Sequence, residues 1–114
     1  MAHINQIKQK LGISGVISDV YTFRSMQKKD GAQIDIVIDR KDDVINLCEC
    51  KFSRQPFEIT ADYFNELERK KTVFLDETQT KKAIHITIIT ANGLLLNEYY
   101  NEVQAEITLD DLFA

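Results

Sequence analysis

The sequence predicts an α/β domain in which helices flank a mixed sheet, and three observations carry that expectation. Alternating apolar runs over residues 16–23, 33–39 and 44–51 read as three strands in succession. A helical apolar stripe then runs from about residue 60 to residue 77, and a strongly apolar run over 83–90 returns the chain to the sheet. Strands on both sides of a helix in a 114-residue chain pack as layers on one core, so residues 1–114 are expected to form a single domain.

Taken in order, Ile4, Ile7 and Leu11 recur at helical spacing and predict a short amphipathic helix that stops near Gly12. The first strand follows, with Ile17, Tyr21 and Phe23 on one side and Ser18 and Thr22 on the other. A polar stretch, Ser25 to Gly31, closes on the turn signal Asp30-Gly31. Ile34, Ile36 and Ile38 are expected to share one face of the second strand. Arg40 to Asp43 is charged and turn-like, and Val44 to Lys51 is apolar on both faces until Glu49, so the pair reads as a β-hairpin. Thr60 is placed to cap the long helix, with Ile59 as the staple and Tyr63, Phe64, Leu67, Phe74 and Leu75 as its stripe. Asn92-Gly93 turns the chain after the fourth strand. A shorter strand is expected over Glu102 to Ile107, and Thr108 then caps a last helical turn, Leu109 to Phe113.

Composition narrows the function classes. Apolar residues at 44% and charged residues at 28% are ordinary for a globular domain. No apolar run reaches the roughly 18 residues a membrane span requires, and no secretory leader opens the chain. Cys48 and Cys50 would point to one face of a strand, unable to bridge, and read as buried free thiols in a reducing cytoplasm. A net charge of -4 and a pI near 5.1 argue against a protein that grips nucleic acid by bulk basicity. They are compatible with a nuclease whose site carboxylates are offset by bound cations.

The hairpin carries the chemistry. Glu49 and Lys51, two apart on one strand, share a face. Opposed residues of an antiparallel pair share a face too, and a three-residue loop at Lys41-Asp42-Asp43 sets Asp35 opposite Glu49, where a one-residue slip would separate them. Two carboxylates suit a hard divalent cation, Mg²⁺ or Mn²⁺, with the Cys50 carbonyl as a further ligand. Lys51 is then placed to orient or deprotonate an attacking water, or to stabilise charge on a phosphoryl group. The plainer reading of the same residues is a cross-strand ion pair at a sheet edge. Gln33 and Ser53 flank the trio as candidate contacts for phosphate or water, and Tyr63 on the long helix is a third; ordinary surface and core roles are the simpler readings of these. His3 and His85 read as structural, Asp110-Asp111 as acids at a helix start, and Glu66-Lys70 as an i, i+4 surface pair. The basic pairs Lys28-Lys29, Arg40-Lys41, Lys70-Lys71 and Lys81-Lys82 read as solvated faces or turns.

The element order helix, three strands, helix, two strands, with Asp35 on the second strand and Glu49-x-Lys51 on the third, resembles the PD-(D/E)xK superfamily. The runs Gly31-Ala-Gln-Ile-Asp-Ile-Val-Ile-Asp-Arg40 and Val44-Ile-Asn-Leu-Cys-Glu-Cys-Lys-Phe-Ser53 look like the nuclease-like domain at the C-terminus of a family of bacterial and archaeal P-loop ATPases. The opening His3 to Gly15 and the closing Val103 to Phe113 fit the same family, so the likeness spans almost the whole chain. It implies a restriction-endonuclease-like core (α-β-β-β-α-β-β), Asp35 and Glu49 as metal ligands with Mg²⁺ or Mn²⁺, Lys51 as the catalytic lysine, DNA as substrate, and an ATPase domain in cis or in trans. Two departures stand out: residues 2–11 hold no acid, where active members often carry one, and no Gly-x-x-x-x-Gly-Lys-[Ser/Thr] loop occurs. The leading expectation is therefore a metal-dependent DNA nuclease domain. The alternatives are a catalytically inactive nuclease-like module that binds DNA or a protein partner, and a structural domain forming a homodimer through its sheet edge.

Overall fold

A computed structural model describes residues 3–26 and 31–113, so the expected Asp30-Gly31 turn and the Lys28-Lys29 pair fall at or beyond its described limits. The chain runs α1 (Ile4–Lys10), β1 (Ser18–Arg24), β2 (Gln33–Arg40), β3 (Val44–Lys51), α2 (Ala61–Thr78), β4 (Ala83–Thr90), β5 (Ala105–Thr108) and α3 (Leu109–Leu112). The five strands form one sheet in sequence order. β1, β2 and β3 pair antiparallel, whereas β3–β4 and β4–β5 are parallel, so the sheet is mixed as expected. The α2 crossover makes the parallel β3–β4 step feasible, because parallel neighbours cannot be joined by a tight turn.

The two faces of the sheet are covered by different helices. On one, Val37, Leu47, Ile86 and Ile88 pack with Leu67, Val73 and Phe74 of α2. On the other, Ile38, Cys48, Ile89 and Ile107 pack with Ile7 of α1 and Leu112 of α3. Among the described residues no helix is long and apolar enough to cross a membrane.

Local chemistry sets the boundaries of these elements. α1 ends where Gly12 takes φ 74°; Gly12 donates to Gln9 and Ile13 to Lys8, a Schellman closure that returns the buried Ile13 to the core. At the start of α2 the Thr60 hydroxyl accepts from the Tyr63 amide at 3.1 Å, as its position in the sequence predicts. β5 is shorter than expected. Tyr100–Glu102 forms a 3-10 turn, and beside β4 the Gln104 side chain, not a strand partner's carbonyl, accepts the Ile86 amide at 2.6 Å.

One strand departs from simple alternation. β1 pairs Tyr21 with Val37 and Phe23 with Ile34, so β2 carries one extra residue between those pairs, a bulge around Asp35 and Ile36. The expected common face of Ile34, Ile36 and Ile38 is therefore corrected: Ile34 joins the α2-side core, while Ile38 stays on the α1 side with Ile36 packed against it. Thr22 Oγ1 donates to the Asp35 carbonyl at 3.1 Å across this irregularity.

Two predictions follow from these closures. The β2–β3 loop is Lys41–Asp43, and Asp43 sits at φ 67°, a left-handed conformation that aspartate tolerates and β-branched residues resist. Asp43→Val should lose about 1–2 kcal/mol in urea unfolding, whereas Asp43→Gly should be neutral or mildly stabilising. At α3, the Thr108 amide above all, with its hydroxyl and Lys10, holds the Asp111 carboxyl below its ordinary value of 3.8. A depressed carboxyl contributes stability above its unfolded pKa and loses it as pH falls through the folded value. Asp111→Asn should thus be less stable than the parent chain at pH 7 and converge with it in acid, as read by Tm against pH.

Candidate functional site

β2 and β3 pair Ile36 with Cys48, Val37 with Leu47 and Ile38 with Asn46, so the three-residue loop produces the register expected from its length. Continued by one step, that register sets Asp35 opposite Glu49. Glu49 and Lys51 lie opposite Ile88 and Thr90 of β4 and face the α2 layer, at the end of β3 where the chain leaves the sheet. Asp35, at the bulge, turns its carboxylate so that Oδ2 accepts from the Cys50 amide at 2.9 Å. Hairpin register and bulge together gather the three side chains at one end of β3.

The surroundings of Glu49 are unusual for a carboxylate. It is 4% exposed, among the few buried charged or polar residues of the chain. Lys70 of α2 donates to its Oε1 at 2.6 Å. Burial pushes the Glu49 carboxyl above its ordinary range; Lys70 opposes that rise, and the nearby Asp35 carboxylate adds to it. The buried carboxylate therefore sits beside a second acid and is met by one ammonium, that of Lys70.

Lys51 is not paired with either acid. Its Nζ lies 5.0 Å from the ring centroid of Tyr63, a cation–π contact that holds the ammonium at the edge of the site. Tyr63 in turn packs edge-to-face on Phe57, ring centroids 5.1 Å apart. Its hydroxyl is buried without a hydrogen-bond partner. Burial first, then Glu49 and Asp35, pushes the Tyr63 phenol up, which keeps it protonated as a donor.

The other candidates separate. Cys50 contributes its backbone amide to Asp35, while its thiol lies in the α1-side layer with Cys48. Both thiols are free, as expected, and burial raises Cys48 to about 12 and Cys50 to about 11. Ser53 is exposed and spends its hydroxyl on the Gln55 carbonyl at 2.6 Å, shaping the turn after β3. Gln33 is exposed at the start of β2, opposite Arg24 and at the same end of the strand as Asp35, but among the described residues no contact joins it to the trio. His85 lies on β4 and is half-buried.

Lys70 is the residue that sequence reasoning missed. The expected Glu66–Lys70 surface pair is corrected: Glu66 binds Arg69 at 2.7 Å, and Lys70 turns inward to Glu49. The signal was present in the spacing, because Lys70 falls in line with Tyr63, Leu67 and Phe74 on the buried stripe of α2. Two further basic residues are engaged rather than free: Lys82 binds Asp39 at 2.6 Å, and Arg40 bridges Asp42 and the buried Asn46.

The donor set is compatible with a hard divalent cation on chemical grounds: two carboxylates lie near one another, one of them buried beside a single lysine. It is a sparse set. Among the described residues no group of three or more His, Cys, Asp or Glu side chains is arranged to hold an ion, so such a site would lean on water and backbone oxygen. Comparison of the chain with protein-family models, with curated proteins and with solved structures gave no match.

The orphaned phenol makes a prediction of unusual sign. A buried hydroxyl without a partner costs about 1–3 kcal/mol, so Tyr63→Phe should leave the fold intact and stabilise it by about 1 kcal/mol in urea unfolding. A loss of stability instead would mean that the hydroxyl has a partner in solution.

Proposed function

We propose that this chain is a divalent-metal-dependent nuclease domain of restriction-endonuclease-like topology that hydrolyses phosphodiesters in DNA and works attached to, or together with, an ATPase. The observation that carries this reading is the convergence of Asp35, Glu49 and Lys51 at one end of β3, produced by the bulge in β2 and the hairpin register. The helix–three-strand–helix–strand order supports it, as does the placement of the lysine two residues beyond the buried acid.

In this reading Asp35 and Glu49 would hold Mg²⁺ or Mn²⁺, with the Cys50 carbonyl beside them. The ion, when bound, would supply a water activated near neutral pH and offset charge on the phosphate. The protein's own part is positional. The Cys50 amide fixes the Asp35 carboxylate, so one ligand is oriented before anything binds. The Tyr63 ring holds the Lys51 ammonium near the acids but unpaired with them, free to meet a phosphate oxygen and stabilise negative charge there. The net charge of -4 makes bulk attraction for DNA weak, so substrate affinity would depend on these local cations and on bound metal.

A second reading rests on a specific observation. Glu49 is already neutralised by Lys70, and α1 carries no acid in its first turn, which is the arrangement of a nuclease-like module kept for binding DNA or a protein partner. Calorimetric titration of Mn²⁺ into the parent chain and Glu49→Ala, with plasmid and oligonucleotide cleavage followed on the same samples, separates the two. The nuclease reading expects binding and cleavage that both fall at least tenfold in Glu49→Ala. Tight DNA binding with neither metal binding nor cleavage would overturn it in favour of the module.

A further inference from the structure

We infer that Lys70 is a built-in occupant of the metal position, an ammonium that neutralises Glu49 until a divalent cation displaces it, so that this one residue sets the affinity of the site for metal. The inference rests on the proposed metal site and adds to it a residue to which the superfamily resemblance gives no role.

The geometry is specific. Glu49 is anchored in the central strand and 4% exposed, so its carboxylate cannot turn out to water. Lys70 Nζ approaches its Oε1 to 2.6 Å from α2, the helix that covers this face. The Glu49 side chain is 5% exposed and that of Lys70 20%, so the pair is closed on the sheet side and reaches solvent only through the lysine. A divalent cation and an ammonium cannot both sit against the same carboxylate oxygen, because their charges repel strongly at contact distance in a poorly hydrated site. Metal entry therefore requires Lys70 to leave.

The helix provides somewhere for it to go. Lys70 is a long flexible side chain whose neighbour one turn back is Glu66, which is partly exposed and already feels the lysine's charge. An i, i+4 pair of this orientation is favourable on a helix surface. The lysine thus has two anchors, a buried one in the metal-free chain and, once a cation holds Glu49, a surface one on Glu66 that it would share with Arg69. Without metal the buried anchor spares the fold an uncompensated carboxylate, whose exposure to an apolar setting would be strongly destabilising.

Mn²⁺ binding to the full chain, measured by calorimetry without nucleic acid, tests this on the parent chain, Lys70→Met and Lys70→Arg, with Tm recorded with and without Mn²⁺. Loss of the competing charge should tighten Mn²⁺ binding by about tenfold in Lys70→Met, and Lys70→Arg should not exceed the parent. Lys70→Met should also melt lower than the parent without metal and gain more Tm from Mn²⁺. If Lys70→Met does not fold without metal, Lys70→Gln replaces it, since its amide still donates to Glu49 without the charge. Binding in Lys70→Met with none in the parent supports the inference in its strongest form. Equal or weaker binding in Lys70→Met, with binding intact in the parent, overturns the inference and leaves the metal site standing. Binding in neither chain removes the metal site and this inference together.

Discussion

The register of the β2–β3 hairpin is the constraint on which the other features of the site depend. Lys41–Asp43 connects the strands with an odd number of residues, and the left-handed Asp43 completes a turn whose twist matches the strands it joins. Odd loop length is what puts Asp35 and Glu49 on one face. An even loop would leave Glu49 beneath α2 and turn Asp35 toward α1, with the apolar core of β2 reversed as well. Fold stability and site assembly therefore select the same register, and neither can drift without the other.

The bulge in β2 adds what register cannot. A regular strand would point Asp35 straight out from the sheet; the extra residue lets its carboxylate reach the Cys50 amide, where β3 is about to leave the sheet. The irregularity also moves Ile34 into the α2-side core, so it is held in place by packing. Behind this arrangement lies the Glu49–Lys70 pair. A buried ion pair seldom adds net stability over apolar residues of the same size, which directs attention to what the charges do rather than to how firmly they hold the fold.

Much of this was legible in the sequence because it follows from local rules. The Thr60 cap, the Gly12 stop, the Asn92-Gly93 turn and the hairpin parity are each decided by a few neighbouring residues. The bulge was not legible, since Ile34 and Ile36 are equally apolar and suit either face. Lys70 was misread because an i, i+4 acid lay at hand and Arg69 was the better placed partner for it; the buried alternative exists only once β3 lies under α2. The length of β5 was misjudged for a similar reason, since nothing local indicates that a Gln104 side chain will stand in for a strand partner.

The central claim is that Asp35 and Glu49 bind one divalent cation between them. Paramagnetic broadening by substoichiometric Mn²⁺ in an amide ¹H–¹⁵N spectrum locates the ion directly. The account expects signals from Ile34–Ile36, Cys48–Lys51 and the middle of α2 around Lys70 to disappear first, with α1 and α3 unaffected. Broadening centred instead on exposed acids such as Asp42 or Asp110, or spread evenly over the surface, would contradict it.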